Sequence, residues 1–173
     1  MTEKRRRWMS LLMGILMMLG LCTISASAEE DGTKFIPGMT IEGSTLTLKD
    51  CAFSPDYEIA SHGDYLAEGG CGITRADKDI ATIEGYTAAY RVCDELYLGI
   101  YVDQLGENGT WHTVWSTERR GNDAYHLSYS INIFVEPGYY YRARAGHIAR
   151  FGTIMESNIS STNGIYFGDG HDE

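Results

Sequence analysis

Between Glu95 and Asp103 apolar and polar positions alternate, so that Leu96, Leu98, Ile100 and Val102 share one face and Tyr97, Gly99 and Tyr101 the other. A side-chain period of two belongs to an extended strand, and its aliphatic face is the one that gains from burial. A second run sets Tyr125, Leu127, Tyr129, Ile131, Ile133 and Val135 against His126, Ser128, Ser130 and Asn132. That division suits a sheet with one dry and one wet side, because sliding by one residue would exchange every side chain between them. Glu107-Asn108-Gly109 is a turn that tolerates positive φ, and it links the first run to a strand over Thr110–Thr117, making a hairpin. Glu118 to Asp123 reads as a polar connection, and Pro137-Gly138 ends the second run.

Further strands are expected over Tyr139–Ala149 and Gly164–Phe167, and before the hairpin over Cys71–Thr74 and Ile80–Tyr90, separated by the charged turn Ala76–Asp79. No run carries helical periodicity. Seven strands in about a hundred residues predict an all-β domain over 71–168, an immunoglobulin-like or fibronectin type III-like β-sandwich. Residues 29–70 have scattered Gly, Pro and acids, with one short alternating stretch at Ser44–Leu48, and are expected to form an irregular preamble. Residues 169–173 form an acidic tail.

The first 28 residues have the pattern of a secretory signal: Lys4 to Arg7 give a positive start, Leu11 to Leu21 an apolar middle, and Ala26-Ser27-Ala28 a small-residue cleavage site. The apolar stretch is short for a membrane span, and Leu21 fills the position before Cys22 where lipid attachment wants a small residue. Processing after Ala28 would leave 145 residues, enough for one domain. It would also remove four of 14 bases and one of 24 acids, taking the net charge from −10 to −13. Such a charge disfavours nucleic acid and anionic lipid as partners, and a secreted or cell-surface location with no stable membrane insertion is expected. In an oxidising compartment two of Cys51, Cys71 and Cys93 would pair. All three pairings are open, with Cys71–Cys93 favoured because each lies next to an expected strand, and such a loop would contribute about 3 kcal/mol.

The segment Val135-Glu136-Pro137-Gly138-Tyr139-Tyr140-Tyr141-Arg142-Ala143-Arg144-Ala145 resembles the corner of fibronectin type III domains, where an apolar residue, a Pro-Gly turn and a Tyr precede alternating small residues. The resemblance implies that Tyr141 is a corner tyrosine, its ring buried and its hydroxyl bonded upstream, with Ala143 and Ala145 facing inward. The stretches Gly109-Thr110-Trp111, Gly138 to Arg142, Gly146-His147, Glu156-Ser157-Asn158 and Ser161 to Ile165 together resemble a family of small secreted proteins of unknown function from Gram-positive bacteria. That resemblance implies export and a β-rich domain, and it brings no activity, cofactor or catalytic residue.

Catalytic chemistry has little to stand on. The chain offers no nucleophile elbow and no Cys or His pair at zinc spacing, so no cofactor or metal is expected. His62, His112, His126, His147 and His171 are spread out and expected on polar faces, with His147 or His112 beside carboxylates as the route to a secreted hydrolase. The favoured function is a non-catalytic interaction module that recognises an extracellular glycan, peptide or protein. Its candidate surface is the outer sheet face carrying Tyr97, Tyr101, Tyr140, Arg142 and Arg144, where rings and guanidinium groups could stack on sugars or grip carboxylates. Trp111 and Trp115, four apart on one strand, are expected to point to one side and fill a core or form a platform. A self-assembling or antagonistic protein is a third possibility, to be recognised by an uncovered edge strand.

Overall fold

A computed structural model describes residues 35–54 and 63–169. The expected signal over 1–28, His62, and residues 170–173 with His171 lie outside these. Among the described residues there are nine strands and no helix: β1 (Thr40–Ile41), β2 (Ser44–Thr47), β3 (Cys51–Phe53), β4 (Leu66–Asp77), β5 (Ile80–Leu105), β6 (Trp111–Phe134), β7 (Tyr139–Phe151), β8 (Ile154–Ser161) and β9 (Gly164–Phe167). The domain is all-β. The strands form one sheet in the order β1-β2-β9-β7-β5-β4-β3, with β6 added to β5 and β8 to β7.

β5 is the spine. One of its edges pairs with β6 from end to end, whereas the other is divided: residues 80–89 pair with β4 and residues 95–104 with β7. Between those halves the register slips, from Ala88 opposite His126 to Cys93 opposite Ala124. A bulge of this size bends the strand, and β6 bends with it at Asp123, which adopts a φ of 50°. The sheet therefore curls into a half-barrel whose two halves face each other. Thr87 Oγ1 donates to the Tyr97 carbonyl across that fold at 3.1 Å, and a Cβ on Gly85 would lie 2.9 Å from Ile100 Cδ1.

The core fills the concave side. Ile73, Ala81 and Ile83 from the first half meet Leu98, Ile100, Val102, Ala143, Ala145, Ile165 and Phe167 from the second, all of them fully buried. Each large aliphatic side chain there stabilises the fold by about 1.5–3 kcal/mol relative to exposure. Tyr141 is buried with them; its hydroxyl donates to the Glu136 carbonyl at 2.9 Å and accepts from the Glu136 amide at 3.0 Å and from Gln104 Nε2 at 2.8 Å. From β8 the Glu156 carboxylate accepts from the amides of Asp64, Tyr65 and Leu66, supplying the start of β4 with an acceptor. Those bonds hold the carboxyl below its ordinary pKa against the opposing effect of desolvation.

Five expectations are corrected. The runs at 80–90 and 95–103 are one strand, as are 110–117 and 125–135, so the two layers are continuous through β5 and β6. The seven-strand immunoglobulin-like order of two separate sheets is accordingly not what the chain adopts. Glu118 to Asp123 does not interrupt β6, because an edge strand tolerates polar residues on both faces and these side chains find partners: Glu118 accepts from Tyr97, and Arg120 pairs with Glu95. Residues 29–70 contain β1, β2, β3 and the start of β4, so part of the expected preamble is integral to the sheet. Finally, no disulfide joins Cys51, Cys71 and Cys93. Cys71 and Cys93 are buried in different core clusters, and Cys51 is exposed. Burial raises the pKa of both buried thiols.

Candidate functional site

The outer face of the second half carries most of the residues singled out in the sequence. Tyr97, Tyr101 and Asp103 of β5 alternate with the core residues, and register places Arg142 opposite Asp103 and Arg144 opposite Tyr101. Asp103 is itself buried and gathers its neighbours: it accepts from Arg142 Nε at 3.1 Å, from Arg144 Nη2 at 3.0 Å and from Thr113 Oγ1 at 2.8 Å. Burial alone would raise its pKa, but these hydrogen bonds outweigh burial and hold it below the ordinary value. The same contact raises the pKa of Arg144.

The N-terminal strands then cover this cluster. Arg142 Nη1 donates to the Glu42 carbonyl and to Ser44 Oγ, both at 3.1 Å, and is left 6% exposed. Its guanidinium also lies 4.5 Å from the Trp111 ring, while Arg144 covers Tyr101 at 5.6 Å and Arg120 covers Tyr97 at 5.1 Å. Burial, with Tyr101 and Glu118 beside it, pushes the Tyr97 hydroxyl up to about 12. Tyr140 is buried against Leu46 and Leu105 and meets Tyr166 edge-on at 5.2 Å. The structure thus brings together Tyr97, Tyr101, Tyr140, Arg142, Arg144 and Trp111, but it pairs their rings and charges with one another.

Trp115 is not part of that face. A second register slip, from Val102 opposite Trp115 to Asp103 opposite Thr113, leaves Val114 as an extra residue. One extra residue reverses the side on which later side chains emerge, so Trp115 packs on the inner core while Trp111 joins the outer cluster and donates to the Ile41 carbonyl at 3.1 Å. The expectation that both point to one side is corrected, and half-exposed Val114 is the residue that breaks the alternation.

The histidine route is also built differently from expectation. His147 is buried between the halves, with Nδ1 2.9 Å from Thr87 Oγ1 and Nε2 2.8 Å from Ser160 Oγ. Burial lowers its pKa to about 4, so the ring is neutral near pH 7. Its side-chain partners are two hydroxyls, without the carboxylate that would orient a catalytic imidazole. His112 lies on the exposed rim and contacts Thr110 Oγ1 at 2.9 Å. No group of three or more metal-ligating side chains forms among the described residues.

An open site lies on the outer face of the other half. There a groove of about 520 Å³ runs from β3 over β4, β5 and β6 and is lined by Phe53, Gly70, Glu84, Tyr86, Ser128 and Ser130 among others. Register explains it: Gly72 stands between Phe53 and Glu84, which faces Ser130, and Gly70 pairs with Tyr86, which faces Ser128. With no side chains on Gly70 and Gly72, two rings settle onto the strand. A Cβ on Gly70 would lie 2.7 Å from Tyr86 Cε1, and one on Gly72 2.6 Å from Phe53 Cδ1. Phe53 nonetheless remains 56% exposed, and Glu84, Ser128 and Ser130 are exposed beside it. None of these six residues was singled out from sequence. The available signal was Gly69-Gly70-Cys71-Gly72, since glycines inside a strand mark a close approach of other atoms.

Residues 41–164 match a family described as a Family of unknown function (DUF6147), and the chain belongs to that family. No curated protein and no solved structure matches the chain.

Proposed function

We propose that this member of DUF6147 is an exported, non-catalytic binding module of a Gram-positive bacterium, and that its ligand, an extracellular glycan, peptide or protein segment, lies in the groove over β4, β5 and β6. The observation that carries this reading is the groove itself: exposed ring surface beside hydroxyls and one carboxylate, on a rigid sheet. Sites for extended ligands combine apolar surface with a few placed polar groups in this way. Glu84 is the one carboxylate among the described residues that line it, and paired acid and base work needs two. The facing halves supply the layering, though not the strand order, of the β-sandwich scaffolds that serve as such modules.

Two measurements test it. The released protein should begin at Glu29; recovery only of a cytosolic chain beginning at Met1 would overturn export. Hydrogen exchange in the presence of cell-envelope material should slow at Gly70, Tyr86 and Ser128 and remain unchanged at Tyr101 and Arg144, and the reverse pattern would move the site to the other face.

A second reading has its own observation. β6 is 24 residues long and among the described residues pairs only with β5, so its far edge offers backbone groups that no described strand pairs. Long uncovered edges favour strand addition, and a self-assembling protein would show concentration-dependent dimers by sedimentation, whereas a monomer at all concentrations would remove this reading.

A further inference from the structure

Resting on the groove as the ligand site, we propose that its occupant is a neutral glycan chain. Phe53 and Tyr86 lie over neighbouring glycines of β4, and Gly70 and Gly72 are two residues apart, about 7 Å along the strand. The exposed Phe53 ring can receive the C–H face of a sugar ring, since an aromatic face is weakly negative and apolar, while the half-buried Tyr86 ring, stacked on His126 at 6.4 Å between centroids, flanks that platform. The polar groups lie between and beside them: Glu84 accepts hydrogen bonds, and the Ser128 and Ser130 hydroxyls both donate and accept. That set matches the mixed donor and acceptor edge of a polyol.

Charge and backbone narrow the choice. Among the described residues that line the groove the only charged side chain is Glu84, and the whole chain carries −10, so phosphorylated or acidic glycans are repelled. An extended peptide gains affinity chiefly by adding to a free sheet edge. The groove's floor offers no such edge, because β4 is paired on both sides by β3 and β5, and β5 by β4 and β6; the edges of β3 and β6 that no described strand pairs lie at its rims, so a peptide added there would run beside the groove and not in it. A ligand held by its side faces, with no main chain to pair, fits this geometry.

The test is calorimetric titration of the purified protein with cellohexaose, chitohexaose and maltohexaose, and separately with hexalysine. At least one saccharide should bind. Phe53→Ala and Glu84→Gln should each weaken it about tenfold or more, while Tyr101→Ala on the opposite face should leave it unchanged, with all three variants melting cooperatively. Loss of cooperative melting in Phe53→Ala would shift the test to Phe53→Leu, which keeps the bulk and loses the ring. Absence of binding by all three saccharides, or binding indifferent to both groove substitutions, overturns the glycan. If hexalysine binds and Glu84→Gln abolishes that binding while the saccharides do nothing, the glycan falls and the groove stands as a site. If no probe binds, both fall.

Discussion

On the outer face of the second half, Asp103 gathers Arg142, Arg144 and Thr113, and three guanidinium groups each cover a ring. On the outer face of the first half, Phe53 and Tyr86 lean onto glycines, Tyr86 also stacks on His126, and Phe53, Glu84, Ser128 and Ser130 face solvent. Arginines and aromatic rings crowd the first of these faces, and in composition it is the better binding surface. Its attractive forces are already spent within the molecule, however, and a ligand would have to displace hydrogen bonds between buried charges. The second face is poorer in charge but has surface still available. Exposed partners, more than residue type, decide where recognition can occur.

The sharpest way to break this contrast is at Asp103. Asp103→Ala leaves the buried Arg142 guanidinium with only the exposed Glu42 carboxylate, 3.6 Å away, and removing the buried partner of such a pair costs about 3–5 kcal/mol. Urea denaturation should show that loss, whereas Phe53→Ala, on an exposed ring, should change stability far less. Equal effects would mean that the two faces are not organised differently.

The layer between the faces is tested by pH. His147 titrates near 4 in the fold against an ordinary 6.5. The unfolded chain therefore binds its proton first as pH falls. The stabilisation is complete above about pH 6.5 and declines through the interval down to about 4, by roughly 3 kcal/mol. His147→Gln should flatten that part of the stability profile; an unchanged slope would assign it to other groups, of which Glu156, with its lowered pKa, acts in the same direction at lower pH.

Smaller effects refine the picture. Tyr141→Phe removes a hydroxyl that bonds both backbone groups of Glu136 and should cost about 1–2 kcal/mol in thermal melts, with binding in the groove intact. The smallest change is expected for Arg120→Gln, which loses an exposed ion pair with Glu95 and a cation over Tyr97, together less than about 1 kcal/mol. A loss several times larger would show that the outer ladder of rings and guanidinium groups acts as one unit.

Much of the fold was legible in the chain. The alternation at 96–102 and 125–135 gave the strand type, and it gave the buried side except at Tyr125, which is 64% exposed because the positive φ of Asp123 shifts the phase there. The same pattern held a less obvious message: buried positions are odd at 81–89 and even at 96–102. Two strands or one bent strand can produce that change of phase, and only the pairing with an unbroken β6 decides between them. The site was less legible. Tyr97, Tyr101, Arg142 and Arg144 do share a face, but what closes it comes from far away in sequence, since Arg142 donates to groups 98 and 100 residues before it.

What the sequence determined by itself is therefore local: strands, their dry faces, the Asn108-Gly109 and Pro137-Gly138 turns, and the absence of helical periodicity. Tertiary structure alone decided the continuity of β5 and β6, the parting of Trp111 from Trp115 by one extra residue, the burial of Arg142 and the groove over Gly70 and Gly72. The physical reason is that backbone periodicity is fixed by adjacent residues, whereas exposure and charge pairing depend on which distant strand arrives alongside.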